Sequence, residues 1–526
     1  LAAHPTILTC RALTGRILVV DAPRGPSQDS PRPTEILIEG ITLRGPGPGF
    51  QVDGIHATTD PLSRPTVRHC TFEECFHGLF LEDDSGAIVE DCLFTATVFG
   101  VSASGAGAAV DLARCLFQEN LCGVYLGEGA SVAAQRCTFT RNGGVSMWDD
   151  RYAGGMVAFC HGAQITDCHF SENRARIGGG LYLCDAGGPA DTEVRISGCE
   201  FAGNTAVWPP PLGDERSTGE GGGLFIDHRD FVVADSWFVG NTSPVAAGAL
   251  GCRGSSGQVV RTFFHGNQVT GPISWGGGAL AAGHLQGPLK VVRSVFADNR
   301  APYGGALSCA ANGDQATDLV SCTFLQNQGT EWAGGALSLC SEKVNPRTTV
   351  GSRATVTDCL FYGNTGRLDG AHIEVYAGST LTLCASAMDG GWYQPAAVWV
   401  ELDQQNHRLG QVDVNDLYAM PILSGSPFRP EVAMDCHLRP PHATETVHPI
   451  DCGQARPEAE AGQDIDGDPV PLGNGWDLGA DEFNPDSNEP CRVWPAQVVW
   501  DCTTTGAPDL SISFCSARYA EDAASE

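Results

Sequence analysis

A short motif, phenylalanine followed three residues later by asparagine, recurs nine times along this chain of 526 residues. The segment Cys322–Asn327 (CTFLQN) carries the motif, and a glycine-led apolar run, Gly334–Cys340 (GGALSLC), follows it. Successive phenylalanines are 22 to 37 residues apart. The unit is therefore constant while its connections vary in length, which is typical of stacked repeats. The repeated positions are Phe117, Asn120, Phe139, Asn142, Phe170, Asn173, Phe201, Asn204, Phe238, Asn241, Phe264, Asn267, Phe296, Asn299, Phe324, Asn327, Phe361 and Asn364.

Each repeat contains strand-like runs that are too short to bury an apolar face alone. In Ala354–Phe361, for example, apolar and polar residues alternate, so that one side can face inward. Coils stacked about 4.8 Å apart satisfy the backbone hydrogen bonds between neighbouring rungs and align equivalent side chains. The sequence therefore predicts an all-β fold, a right-handed parallel β-helix of roughly thirteen rungs with N- and C-terminal caps.

The residue two positions before each repeated phenylalanine is small in every unit. Because side chains two apart on a strand point the same way, these residues are predicted to form a second inward column. Phe72 and Phe94 extend the phenylalanine column upstream, although Cys75 and Thr97 stand there in place of asparagine. The small residues are Cys70, Cys92, Cys115, Cys137, Cys168, Cys199, Ser236, Thr262, Ser294, Cys322 and Cys359.

Four segments follow from the extent of the repeat. Residues 36–400 are predicted to form the β-helix, and residues 401–483 a C-terminal cap. Residues 1–35 are interpreted as an N-terminal cap or an exchanged strand, because the first rung of a solenoid exposes an unpaired edge. Residues 484–526 differ in composition and are interpreted as a C-terminal extension suited to pairing with another subunit.

The charge of the chain disfavours several kinds of partner. There are 31 basic and 62 acidic residues and no basic stripe, so nucleic acids and anionic membrane surfaces are poor partners. No run of 18 apolar residues exists, and we therefore expect no membrane-spanning segment. Leu1 is not an initiator methionine, which favours a mature form whose export signal has been removed. We expect a secreted protein, either extracellular or on the cell surface.

The 22 cysteines need two interpretations. Those in the inward column are predicted to be small core residues, because neighbours in such a column point the same way and pair poorly. Cys160 and Cys184 follow the glycine-led runs of consecutive rungs, and so do Cys309 and Cys340. We predict inter-rung disulfides joining Cys160 to Cys184 and Cys309 to Cys340. Such bonds favour an oxidising compartment.

Three aromatic residues precede glycine pairs in successive rungs: Trp275, Tyr303 and Trp332. Two interpretations are open. They form either an external aromatic ladder that stabilises stacking or a platform that binds sugar rings or a partner protein.

One segment of the predicted cap resembles the opening of a calcium-binding loop. Asp464, Asp466 and Asp468 have the required spacing, but Gly475 stands at the twelfth position, where such loops carry glutamate. The segment is therefore either a Ca²⁺ site or a turn capped by carboxylates. The sequence suggests no other cofactor.

Two resemblances to known families bear on function. The pairing of the asparagine motif with Gly-Gly-Ala-Leu, at 304–307 and 334–337, resembles the repeats of polymorphic outer-membrane proteins, which are β-helical surface adhesins. This resemblance covers residues 110–365. Asp464–Gly467 and Asp477–Glu482 are similar to the D-x-D-G and D-x-G-A-x-E segments that end bacterial secreted β-helix proteins. The same fold also occurs in pectate lyases and polygalacturonases.

A structural or adhesive protein that presents loops to a surface protein or polysaccharide is the function that these features favour. One alternative is a subunit of an extracellular filament, assembled head-to-tail through the ends of the solenoid. Another is a polysaccharide lyase or hydrolase, for which the candidate acids are Glu82, Asp83, Asp84, Asp149, Asp150, Asp227 and Asp230. They match no polygalacturonase motif, so the sequence identifies no catalytic residue and leaves enzyme activity open.

Overall fold

The computed structural model describes residues 6–9, 14–21, 36–47, 50–58, 64–82, 85–143, 154–185, 193–207, 219–271, 276–331, 334–345, 348–366, 372–384, 386–389, 398–400, 411–415, 422–423, 462–465, 469–470, 477 and 479–480. These residues form strands and no α-helix. None of them therefore belongs to a helix that is long and apolar enough to cross a bilayer.

The strands are short and numerous. In chain order they are β1 (Thr6–Thr9), β2 (Thr14–Asp21), β3 (Leu37–Glu39), β4 (Ile41–Arg44), β5 (Gln51–Thr58), β6 (Thr66–Arg68), β7 (Thr71–Glu73), β8 (His77–Leu81), β9 (Ala87–Glu90), β10 (Leu93–Thr95), β11 (Phe99–Ala103), β12 (Ala109–Ala113), β13 (Leu116–Gln118), β14 (Cys122–Gln135), β15 (Thr138–Thr140), β16 (Met156–Thr166), β17 (His169–Ser171), β18 (Arg174–Ala175), β19 (Leu181–Asp185), β20 (Val194–Ser197), β21 (Glu200–Ala202), β22 (Thr205–Ala206), β23 (Leu224–Asp227), β24 (Asp230–Ala234), β25 (Trp237–Val239), β26 (Thr242–Ser243), β27 (Leu250–Arg253), β28 (Ser256–Val260), β29 (Phe263–His265), β30 (Gln268–Val269), β31 (Leu280–Gly283), β32 (Leu289–Val292), β33 (Val295–Ala297), β34 (Arg300–Ala301), β35 (Leu307–Ala310), β36 (Ala316–Val320), β37 (Thr323–Leu325), β38 (Gln328–Gly329), β39 (Leu337–Cys340), β40 (Glu342–Asn345), β41 (Thr348–Val350), β42 (Arg353–Thr357), β43 (Leu360–Tyr362), β44 (Ile373–Val375), β45 (Thr380–Cys384), β46 (Ala387–Asp389), β47 (Val398–Val400), β48 (Gln411–Asn415), β49 (Ile422–Leu423), β50 (Gly462–Gln463) and β51 (Pro469–Val470).

The strands pair in parallel with their equivalents in neighbouring rungs and so build long ladders. The phenylalanine ladder has 15 strands, from β1 through β4 and β7 to β49. The glycine ladder runs from β2 through β5, β8 and β11 to β47, and the valine ladder runs from β3 through β6, β9 and β12 to β48. A six-stranded ladder of two-residue strands, β18 to β38, adds a fourth side to the middle rungs. The predicted all-β parallel solenoid is confirmed.

The repeated phenylalanines stack inside the solenoid. From Phe72 to Phe361, successive ring centroids lie 4.6 to 5.0 Å apart with planes within 14° of parallel. All of these rings are fully buried. The spacing of the rings therefore follows the spacing of the parallel strands that carry them.

The repeated asparagines form a second buried column held by hydrogen bonds. The Asn173 backbone N–H and side-chain amide both donate to Oδ1 of Asn204, at 3.0 and 2.9 Å. The same amide donates to the Phe139 carbonyl at 2.9 Å. Upstream, the Thr97 hydroxyl donates to Oδ1 of Asn120 at 2.7 Å, so threonine begins the column where asparagine is absent.

The column of small residues also has a hydrogen-bonding role. The Cys137 N–H donates to Sγ of Cys168 at 3.4 Å, and the Cys168 thiol donates to the Thr166 carbonyl at 3.3 Å. Downstream, the Thr262 N–H donates to Oγ of Ser294 at 3.2 Å in the same manner. Small size is thus one requirement of this column, and a side-chain atom that both donates and accepts is another.

The two predicted disulfides are wrong, because the partners point to opposite faces of the glycine ladder. Cys160 pairs with Asp185 across the strands, while Cys184 pairs with Phe159. Likewise, Cys309 pairs with Leu339, and it is Ala310 that pairs with Cys340. A register difference of one residue turns a side chain from the inner to the outer face. All four cysteines are free thiols, with Cys160 and Cys309 in the core.

Part of the predicted C-terminal cap lies along the side of the solenoid. We call the described residues between 462 and 480 the lateral segment. Its Ile465 and Ala480 pack on apolar side chains of the outer face of the phenylalanine ladder, among them Val295 and Leu360. The Ala480 N–H donates to the Thr323 hydroxyl at 3.0 Å. The lateral segment therefore covers an apolar patch of the later rungs.

Candidate functional site

The outer face of the glycine ladder carries aromatic side chains in consecutive rungs. They stand between inward apolar residues, as Tyr125 does between Val124 and Leu126, which are both fully buried. Because side chains alternate along a strand, the intervening ring points outward. We call this set the aromatic strip, and it consists of His77, Phe80, Phe99, Tyr125, Phe159, Tyr182 and Phe225.

The rings of the aromatic strip touch one another in sequence. His77 stacks on Phe80 and Phe99, with centroids 4.7 and 5.3 Å apart. From Phe99 onward the centroids of successive rings lie 5.7 to 6.3 Å apart. The rings from His77 to Phe159 are half-buried, whereas Tyr182 and Phe225 are buried. The strip runs from β8 to β23 over five rung spacings, which is about 24 Å.

A polar cluster adjoins the N-terminal end of the strip. We call Asp53, His56, His77 and Glu82 the acid–histidine cluster. Asp53 lies 2.7 Å from Nδ1 of His77 and 3.3 Å from Nδ1 of His56. Nε2 of His56 lies 2.7 Å from Oε2 of Glu82. Burial raises the pKa of Asp53, but the hydrogen bonds and charge of the two histidines outweigh burial, so this pKa lies below its ordinary value.

A second polar cluster adjoins the other end of the strip. We call Glu220, Asp227 and Arg253 the arginine cluster. Arg253 donates to both carboxylate oxygens of Asp227, at 3.2 and 3.0 Å, and to Oε2 of Glu220 at 3.4 Å. Its guanidinium carbon lies 5.4 Å from the centre of the Phe225 ring. The Tyr182 hydroxyl donates to Asp227 at 3.5 Å, which links the cluster to the strip.

Glu220 is the most unusual group of the arginine cluster. It is 1% exposed, and its Oε1 has no hydrogen-bond partner in the part of the chain that the structure describes. Burial raises the pKa of this carboxyl to about 7, in spite of the nearby Arg253 charge. The group is therefore partly protonated near neutral pH.

Of the three aromatic residues singled out in the sequence, one is described. Tyr303 lies farther along the glycine ladder, with its ring centre 6.4 Å from that of Tyr376. Burial raises the pKa of the Tyr303 hydroxyl. Trp275 and Trp332 lie outside the described residues, so the platform formed with them stays a prediction. The aromatic strip is a different set of rings.

The predicted calcium loop is described only at its first residue. Asp464 is buried, while Asp466 and Asp468 lie outside the described residues. Among the residues that are described, no group of three histidine, cysteine or acidic side chains is arranged to hold a metal ion. Calcium at this loop stays a prediction.

The acids considered as catalytic candidates lie in different places. Glu82 belongs to the acid–histidine cluster, and Asp227 belongs to the arginine cluster. Asp230 is exposed on the valine ladder and accepts a hydrogen bond from Ser256. Asp83, Asp84, Asp149 and Asp150 lie outside the described ranges. The fold therefore brings Glu82 and Asp227 beside the aromatic strip.

The aromatic strip is not among the predicted sites, although its signal is present in the sequence. In each of Leu79–Leu81, Val124–Leu126, Leu181–Leu183 and Leu224–Ile226 an aromatic residue stands between two aliphatic ones. An alternating pattern with inward aliphatic residues places the central ring outside. The recurring Phe-x-x-Asn motif instead predicts the rings that point inward.

One comparison with known proteins supports the fold. A family profile described as a right handed beta helix region matches residues 53–243. A search of curated proteins gave no match. One similar solved structure is described as "a new PL6 alginate lyase complex with trisaccharide", with 9% identity, a TM-score of 0.25, and coverage of 78% of this chain and 86% of that one. A likeness this weak supports no statement about activity. The profile and the strand pairing together support a right-handed parallel β-helix as the fold of this chain.

Proposed function

We propose that this protein is an extracellular or cell-surface β-helix protein that binds a polysaccharide along the aromatic strip. The observation that carries the proposal is the unbroken contact of seven rings on one outer face of a rigid solenoid. Five of these rings, from His77 to Phe159, are partly exposed, and contiguous exposed apolar surface marks sites of interaction. Binding residues placed on a regular scaffold are also held in fixed positions.

The chemistry of the strip suits sugar rings. The C–H faces of a pyranose pack against aromatic rings, and its hydroxyl groups need hydrogen-bonding partners at the margin. The carboxylates and imidazoles of the acid–histidine cluster supply such partners beside His77 and Phe80. A chain of several sugars fits better than a single sugar, because the partly exposed rings from His77 to Phe159 follow one another over three rung spacings, about 14 Å, along the axis.

Replacing Tyr125 and Phe159 together by alanine tests this proposal. Binding is measured by calorimetry against a soluble β-linked glucan, N-acetylated and deacetylated glucosamine polymers, and polygalacturonate. We expect the double variant to lose at least about ten-fold in affinity for the polymer that binds best, because stacking contacts in the centre of the strip are removed.

The matched control replaces Leu93 and Leu116 by alanine. These side chains are also half-buried, but they lie on the outer face of the phenylalanine ladder, away from the strip. Equal losses in the two double variants, or unchanged binding in the first, would contradict the proposal. Assaying the same polymers for new reducing ends or unsaturated products tests the lyase or hydrolase alternative.

A second candidate, a subunit of a filament, is favoured by one observation. The large apolar side chains that are exposed among the described residues all lie in the first rungs: Ile7, Leu8, Val19, Leu37 and Phe50. Strands β1 and β2 are the terminal strands of their ladders among the described residues, and a terminal strand can pair with a strand of another chain. Negative-stain microscopy tests this candidate, because isolated short rods at high protein concentration exclude a filament.

A further inference from the structure

The charged groups that border the aromatic strip differ in whether they are free to bind a ligand. Among the described residues, Arg253 and Arg16 contact the polar clusters. Arg253 binds Asp227 and Glu220, as described above, so its guanidinium is already paired with carboxylates of the protein itself. Arg16 lies 4.0 Å from Glu82, and both side chains are nearly half exposed, so this pair is weak.

A polysaccharide with carboxylate groups would need such cations. Recognition of carboxylate is strongest when an arginine donates two parallel hydrogen bonds to it. Arg253 already makes that arrangement with Asp227, and breaking the pair would leave a largely buried charge without a partner. The chain also carries a net charge of −31, which repels polyanions at a distance. A polyuronate is thus a poor occupant of the strip.

The same border offers groups that accept hydrogen bonds. Glu82 is the accessible carboxylate, since its side chain is 44% exposed while those of Asp53 and Asp227 are 16% and 10% exposed. The contacts of Glu82 with His56 and Arg16 both involve Oε2 rather than Oε1.

The rings of the strip favour the same kind of ligand. The face of an aromatic ring carries negative partial charge, and an ammonium group placed over it is attracted. Phe80 contacts both histidines of the acid–histidine cluster, and one of them, His56, is hydrogen-bonded to Glu82, so the strip and this carboxylate are linked through His56. A ligand that combines apolar ring faces with ammonium groups would contact both the aromatic rings and the Glu82 carboxylate.

We infer that the aromatic strip binds a polysaccharide that contains amino sugars with free, protonated amines, and that Glu82 meets one of these amines. The inference rests on the proposed function and names its class of ligand. Four features favour a cationic polymer over a neutral or anionic one. They are the negative charge of the protein, the pairing of Arg253 with carboxylates, the aromatic ring faces and the accessible Glu82 carboxylate.

The experiment compares a fully deacetylated glucosamine oligomer with its N-acetylated counterpart of equal length, and both with polygalacturonate. Calorimetry is done with the full chain at a pH where the amines are protonated. We expect the deacetylated oligomer to bind at least about ten-fold more tightly than the acetylated one, with affinity that falls as salt is added.

Glu82→Gln isolates the proposed contact. We expect this variant to lose about five-fold in affinity for the deacetylated oligomer and to bind the acetylated one unchanged, because the amide keeps the shape but not the charge. Glu172→Gln makes the same chemical change on an exposed corner beside the phenylalanine ladder and is expected to change neither affinity.

The outcomes separate the inference from the proposed function. Equal affinity for the two glucosamine oligomers, or tighter binding of polygalacturonate, overturns the inference; the proposed function stands if Tyr125 and Phe159 are still required. Equal losses in Glu82→Gln and Glu172→Gln overturn the specific role of Glu82. Absence of binding to every polymer overturns both the inference and the proposed function.

Discussion

One asparagine per rung makes four hydrogen bonds inside this solenoid. Oδ1 of Asn204 accepts from the Asn173 backbone and side chain, while its amide donates to the Phe170 carbonyl at 2.8 Å and to Asn241 at 3.0 Å. Only a side chain with one acceptor and two donors at this length can do so. This requirement explains why asparagine, rather than any small polar residue, recurs in the sequence.

Replacing Asn204 by alanine is expected to lower local stability by about 2–4 kcal/mol, because buried donors and an acceptor lose their partners. Native-state hydrogen exchange of the surrounding rungs measures this loss. Gln118→Ala, on the outer face of the phenylalanine ladder, is the control and is expected to change little. A cost below about 1 kcal/mol for Asn204→Ala would show that the column is not a major source of stability.

Glu220 links stability to pH at a single buried carboxyl. Its pKa is raised from 4.5 to about 7 by burial, so the folded chain holds the proton more tightly than the unfolded chain. The stabilisation is complete below pH 4.5 and is lost as the pH rises through about 7. The full loss is on the order of 3 kcal/mol.

Glu220→Gln is therefore expected to reduce the fall in melting temperature between pH 4.5 and pH 8. Thermal unfolding of both proteins across this range measures the difference. Because many other acids also ionise there, the comparison is with Glu172→Gln, which should leave the wild-type pH dependence unchanged. Identical pH profiles for all three proteins would refute a perturbed carboxyl at position 220.

At the scale of the element, the three-residue strands of the phenylalanine ladder are bounded by single-residue corners. Asp167 and Glu172, on either side of Phe170, have φ values of 53° and 54°. In the next rung, the equivalent corners are Gly198 and Gly203, both at 62°. A left-handed residue at each end turns the chain sharply and keeps the strand short. Glycine is thus one of several residues used at these corners.

Gly240 allows the backbone effect to be tested without a clash. Its φ is 61°, and no atom lies within 4 Å of the position that a Cβ would occupy. We expect Gly240→Val to cost about 1–2 kcal/mol, because a β-branched residue is strained in the left-handed region. Gly240→Asn should cost less, since asparagine tolerates this conformation. Equal unfolding midpoints for the two variants would contradict the argument.

At the scale of the whole molecule, the later rungs depend on a segment that is remote in sequence. The outer face of the phenylalanine ladder becomes apolar at Trp237, Phe263, Val295 and Leu360, and the lateral segment covers part of it. Arg293 holds this segment by donating to the Gln463 carbonyl at 3.3 Å. The C-terminal region therefore protects the flank of the rod over several rungs.

Ala480→Asp is expected to detach the lateral segment, because an unpaired carboxylate cannot be buried among apolar side chains. Faster hydrogen exchange in residues 462–480 and increased binding of an apolar dye would report the detachment. Exchange in the Asn column should stay slow, since that column is internal to the solenoid. Ala202→Asp, on the same face of an earlier rung that the segment does not cover, is the control.

The sequence alone determined the solenoid and its inward residues, because every rung repeats the same packing and hydrogen-bonding requirement. Phe170 and Asn173 have the same neighbours as their equivalents elsewhere, so the pattern is local and visible as a repeat. The glycine-led strands also repeat, but their outward residues are free to vary. The contacts that these outward residues make depend on which strands pair.

Only the tertiary structure decided which outward groups meet and which cysteines do not. Cys160 and Cys184 differ by one position in register and so face opposite sides, a difference that loops of varying length conceal in the sequence. Arg253 likewise meets Asp227 and Glu220 only because β27 pairs with β23. The physical reason is that contacts across rungs depend on exact strand register, whereas the inward columns depend only on the repeat itself.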